Sequence, residues 1–153
     1  MNQELERLAV EVGLCDSRNG ALRLRLGLGC ASRVRHLLDE PDAVACLDAL
    51  EGYVRGELDS QSFDVFVAKA AATANQHRGS KSLDGSAHAA VSATYAVANA
   101  LAGKALEAAS YAAYAAVYAY GGYAVSDPEA FDSEFAWQVD ALRAMALSAK
   151  LET

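Results

Sequence analysis

The sequence predicts an all-α protein, a compact bundle of about six to seven helices in a single domain over residues 1–153. Three observations carry the prediction. Apolar residues recur at three- and four-residue steps along most of the chain. Glycines, prolines and capping residues interrupt that pattern at helix-length intervals. The one alternating stretch, ALRLRLGLGC at 21–30, has no second strand nearby to pair with.

Leu5, Leu8, Val12 and Cys15 share one face, which predicts a helix over 2–15. In the next segment Leu22, Leu26, Cys30, Val34 and Leu37 or Leu38 form a continuous helical stripe, so a helix over 20–38 accounts for more residues than a strand over 21–28. Gly27 and Gly29 then each cost roughly 1 kcal/mol relative to alanine, an expense most simply offset by close approach of another backbone. Leucines on several sides make this a central helix.

Pro41 and Asp42 open a helix that runs to about Arg55 and is closed by Gly56. Asp59 or Ser60 caps another, to about His77. After the loop RGSKS, Asp84 or Ser86 leads a helix to about Leu101, and Gly103 permits a break. The Ala/Tyr-rich helix that follows ends at Gly121 and Gly122. A last helix starts at SDPE, where Ser126 and Glu129 have capping-box spacing, and buries Phe131, Phe135, Leu142 and Met145 or Ala146.

Charge and cysteine content narrow the partners. The formal net charge of −7 disfavours generic attraction to DNA or anionic membranes and suits a neutral or basic protein partner. Residues 16–36 hold five arginines against Asp16, and residues 37–64 hold eight carboxylates against Arg55. Arg23, Arg25, Arg33 and Arg35 are therefore expected to pair with carboxylates between Asp39 and Asp64 rather than with nucleic acid.

Cys15, Cys30 and Cys46 are widely spaced, without a CxxC pair, which suggests neither a disulfide framework nor a zinc site and suits a reducing compartment. The acidic start MNQELERLAV lacks the features of a signal peptide, so a cytoplasmic location is expected. The uncharged run at 108–126 contains only Val117 and Val125 as strongly apolar aliphatics, too few for a membrane span.

No residue set spells out a cofactor, a metal or a catalytic machine. Asp84, His88, Ser92, Tyr95 and Asn99 fall on one helical line, and the first three have the residue types of a hydrolase triad. A nucleophilic serine needs an exposed turn and donors aimed at the oxyanion, which a mid-helix serine among alanines lacks. A polar stripe with an Asp84–His88 pair is the simpler expectation.

The most informative pattern is aromatic. Tyr111, Tyr114 and Tyr118 lie within about 60° of one another on a helix of 3.6 residues per turn, in line with Lys104 and Glu107 and opposite Ala109, Ala112, Ala113 and Ala116. The alanines are expected inside and the tyrosines on a wet face, continued by Tyr120 and Tyr123. Trp137 stands off the phenylalanine stripe of the last helix. Tyr111, Tyr114, Tyr118, Tyr120, Tyr123 and Trp137 are thus candidate anchors for a protein partner, because Tyr and Trp dominate interface hot spots.

Taken in order, CASRVRHLL (30–38), ALEGYVRGEL (49–58), AKAAATAN (68–75), AHAAVSATYAVANAL (87–101) and AASYAAYAA (108–116) resemble the successive helices of the Imm-5-like family of immunity proteins. The chain departs from the family at Leu26 and Gly29, where members often carry an aromatic and an acid, and at Thr94 and Tyr95, where they often have a second histidine. The resemblance implies an all-helical fold and neutralisation of a bacterial toxin by binding, and it carries over no catalytic residues. The alternatives are a structural or oligomerising helical module, and an enzyme using the His88 line.

Overall fold

A computed structural model describes residues 2–77 and 88–151. Among these are seven α-helices and no strand: α1 (Gln3–Val12), α2 (Gly20–Arg33), α3 (Pro41–Val54), α4 (Ser60–Asn75), α5 (His88–Leu101), α6 (Ala105–Tyr120) and α7 (Asp132–Leu151). The alternation at 21–28 is therefore a coincidence within a helix. Among the described residues no helix is long and apolar enough to cross a membrane. The expected loop at 78–82 and helix start at Asp84 or Ser86 lie outside the described residues.

The helices form three layers, with α2, α5 and α6 packed together in the middle, α3 and α4 on one side, and α1 and α7 on the other. One apolar cluster joins Leu5, Leu8, Leu26, Cys30 and Leu142 across α1, α2 and α7, while another joins Leu47, Leu50, Phe63 and Val97 across α3, α4 and α5. Both draw on α2, α5 and α6, so one continuous bundle results.

Composition explains why the middle layer is tight. Ala93, Ala96, Ala100, Ala105, Ala108, Ala109, Ala112 and Ala113 are all buried, and small side chains let helix backbones approach closely. Gly27 extends the same device into α2: a Cβ there would stand 3.0 Å from both Cα and Cβ of Ala100. Gly29 differs, since its nearest neighbours are the side chains of Met145 and Trp137. The expected backbone contact holds for the first glycine only.

The ends of α1 are locally specified. Asn2 Oδ1 accepts a hydrogen bond from the Leu5 N–H at 3.1 Å, and Gly13 closes the helix at φ +68°, where a side chain would be strained. Cys15, expected on the buried face, falls beyond the helix and is exposed, and Leu14 is buried in its stead.

Two boundaries depart from expectation. The segment 20–38 stops being α-helical at Arg33, because Val34 leaves the α region and its N–H bonds to Ala31; a 3-10 turn over 35–37 follows, and Val34 stays buried. Near the C-terminal side, 3-10 turns at Gly122–Ser126 and Pro128–Phe131 precede α7. The Ser126–Glu129 capping box does not form. Asp127 takes its place, its Oδ1 accepting from the Glu129 N–H at 3.1 Å, because a short carboxylate reaches a backbone donor two residues on.

The arginines find other partners than expected. Of Arg23, Arg25, Arg33 and Arg35, among the described residues only Arg35 bonds to a carboxylate of the acidic segment, Asp48 at 2.7 Å, and the pairing expected of Arg25 does not form. Arg33 forms a two-pronged bridge to Glu134 of α7, at 3.0 and 2.9 Å. Arg23 donates to the carbonyls of Leu14 and Asp16, both at 2.8 Å, and so pins the α1–α2 connection.

Candidate functional site

Helix α6 places its alanines inward and its tyrosines outward, as its periodicity predicts. Ala109, Ala112 and Ala113 are buried and Ala116 is half-buried, whereas Lys104 and Glu107 are exposed and Tyr111 and Tyr114 are each 39% exposed. Tyr118 is half-buried on the same line. Tyr120 and Tyr123 are 79% and 75% exposed.

The polar line of α5 and the tyrosine line of α6 meet edge to edge, because α5 and α6 are each other's most extensive neighbours. Tyr95 stacks on Tyr111 with ring centroids 5.3 Å apart, and its hydroxyl donates to Asn75 Oδ1 at 3.0 Å. The His88 ring stands edge-on to Tyr118 at 5.1 Å. Tyr118 adjoins Tyr114, which meets Phe131 at 5.1 Å, and Phe131 in turn contacts Phe135. Two patches that look separate in the sequence are joined by ring contacts from His88 to Tyr114, which continue inward to buried Phe131 and half-buried Phe135.

Asn99 donates to the Tyr95 carbonyl one turn back at 2.8 Å, so its side chain serves its own helix. Ser92 is half-buried, and among the described residues no hydrogen bond joins it to His88. Asp84 lies outside the described residues.

Trp137 does not belong to this surface. It is half-buried against α2, and the Arg33 guanidinium lies over its ring at 4.3 Å from the centroid. Arg33 is thus held by a carboxylate and an indole face together, an arrangement that stitches α2 to α7. The sequence separates Arg33 from Glu134 and Trp137 by about a hundred residues, so no local pattern marks the trio.

Two concavities flank the tyrosine ridge. One, of about 420 Å³, lies between α1 and α6 and is lined by Glu6, Glu107, Tyr111, Tyr114, Asn2 and Gln138 among others. The other, of about 260 Å³, lies on the far side of Tyr114 beside Phe131 and Phe135. The sequence reading missed Asn2 and Gln138. Asn2 donates to Phe135 O and to Gln138 Oε1, and Gln138, 2% exposed, donates to Ala109 O at 2.8 Å. An amide two turns inside an otherwise apolar stripe was the available signal.

Among the described residues, Asp39, Glu40 and His77 bring one potential metal-ligand atom each to within 4.8 Å of one another. His77 is 4% exposed and its Nε2 lies 2.6 Å from Asp39 Oδ1. That hydrogen bond alone accounts for the convergence of two of the three groups. It ties the end of α4 to the start of α3.

The thiols are poorly suited to nucleophilic chemistry where they are buried. Burial pushes the Cys30 thiol up to about 12, only partly opposed by Arg33, and burial raises Cys46 as well.

No family model matches the chain, and neither a curated protein nor a solved structure matches it.

Proposed function

We propose that the protein is an immunity-type inhibitor, acting in the cytoplasm by binding a cognate bacterial toxin protein and blocking it, without catalysis of its own. The observation that carries this is the aromatic surface of α5 and α6, where Tyr111 and Tyr114 stand 39% exposed on a ridge with a concavity on each side. Aromatic residues held in place by neighbours lose little freedom on binding, so they give large contact area at low entropic expense. The resemblance of residues 30–38, 49–58, 68–75, 87–101 and 108–116 to the Imm-5-like helices points to the same class.

His88 and Tyr95 belong to the surface as packing partners that hold Tyr118 and Tyr111. The test is co-expression with the product of the adjacent gene. Rescue of growth by the native chain, and its loss in Tyr111→Ala/Tyr114→Ala, supports the reading. Rescue undiminished by those substitutions removes the surface from the function. A stable homo-oligomer that dissociates in the same variant would give the face to self-association instead.

A further inference from the structure

We infer that the concavity between α1 and α6 is a receptor for a guanidinium or ammonium side chain presented by the protein partner, a reading that rests on the proposed function above. Its volume of about 420 Å³ is within the range of small-ligand sites. Glu6 and Glu107 line it, Tyr111 and Tyr114 form its aromatic wall, and no lysine or arginine contributes to it. Lys104, one turn before Glu107, is exposed and outside the lining. Neither carboxylate has an ion pair among the described residues, so both are free to meet an incoming cation.

The hydrogen-bond inventory at the base of the cavity has the same polarity. Both amide hydrogens of Asn2 are committed, one to Phe135 O and one to Gln138 Oε1. The acceptors Asn2 Oδ1 and Gln138 Oε1 each take one hydrogen bond, from Leu5 N and from Asn2, and an amide oxygen has two lone pairs. The cavity therefore offers carboxylates, aromatic faces and unspent acceptors, an environment that favours a donor-rich cation and repels a phosphate or carboxylate. A lysine or arginine reaching from a partner across Tyr114 would have its charge met by Glu6 and Glu107 while its methylenes lie on the rings.

The probe is N-acetyl-arginine amide, with N-acetyl-citrulline amide as its neutral near-isostere, titrated into the intact protein while tyrosine ring resonances are followed by NMR. The expected result is saturable movement of Tyr111 and Tyr114 resonances at concentrations about tenfold lower for the arginine than for the citrulline compound, abolished in Glu6→Gln/Glu107→Gln. Glu107 is exposed and Glu6 half-buried, and an unchanged circular dichroism melt confirms that the variant is folded. Equal response to the two compounds, or an arginine response that survives the double substitution, overturns the inference. The partner reading is separable. If Tyr111→Ala/Tyr114→Ala loses toxin rescue while arginine amide fails to bind, the cation receptor falls and the partner surface stands. If arginine amide binds as expected while the native chain gives no rescue, the cation-binding recess stands and the inhibitor reading falls.

Discussion

Gly27 and Ala100 meet across the α2–α5 crossing with no room between them, a Cβ on the glycine falling 3.0 Å from the alanine's own Cα and Cβ. Both neighbours are fixed to a helix backbone and cannot rotate aside. Gly27→Leu should therefore destabilise by 1–3 kcal/mol or more, as overpacking does, measured by chemical denaturation. Gly29→Ala should be near neutral or stabilising by up to about 1 kcal/mol, because its obstacle is the flexible end of Met145 and alanine is the better helix former. Equal losses at the two sites would refute the distinction.

Arg33 and Glu134 form a two-pronged bridge that is partly shielded, with side chains 35% and 18% exposed. A double-mutant cycle with Arg33→Ala and Glu134→Ala should give a coupling of about 1 kcal/mol, near the top of the range for exposed pairs because the geometry is bidentate. Raising salt should weaken it. A coupling indistinguishable from zero would make Trp137 alone the anchor of that guanidinium.

The three cysteines should react in two classes. At pH 8 a thiol reagent should modify exposed Cys15 readily, and Cys30 and Cys46 only upon unfolding, since both are buried and Cys46 also donates to Phe66 O. Cys30 also gives a pH dependence. Its thiol ionises near 9.0 in an unfolded chain but near 12 in the fold, so the unfolded state sheds its proton first. The associated stability is intact below pH 9 and is lost as pH climbs toward 12, at no more than about 1.4 kcal/mol per pH unit. Cys30→Ala should flatten the slope of stability against pH in that window, and an unchanged slope would contradict the assignment.

The tyrosines should separate by their contacts. Tyr120→Ala and Tyr123→Ala, at positions 79% and 75% exposed, should leave the melting temperature within error. Tyr114→Ala should cost about 1 kcal/mol, because its ring packs edge-on to Phe131. The same substitution should weaken partner binding by roughly 2 kcal/mol if it is a hot spot, so the two effects are resolved by titrating partner against folded variant.

Helix number, the inward alanines of α6 and the outward Tyr111–Tyr114 line were legible because each depends on residues within two turns of one another. What was not legible depends on tertiary neighbours. Arg33 looked set to pair with the acidic stretch after Asp39, yet the fold brings Glu134 to it, and Trp137 went with Arg33 rather than with the tyrosines. The Ser126 box failed for a local reason, competition from Asp127 for the same backbone donor. The fusion of the α5 and α6 lines into one surface needed the rotation of both helices about their contact, which periodicity within one helix does not define.

Asn2 bonds to Phe135 and Gln138, 133 and 136 positions away along the chain. On the ribosome, α1 is made well before α7 and lacks this packing partner until α7 emerges, so it is secured late. The α1–α6 cavity, whose walls need Asn2, Glu6 and Gln138 in place, would then take shape only as translation of α7 finishes. A nascent chain still short of that point would carry the tyrosines of α6 without the recess beside them, and the cation recognition proposed for that recess would be withheld until α7 has folded.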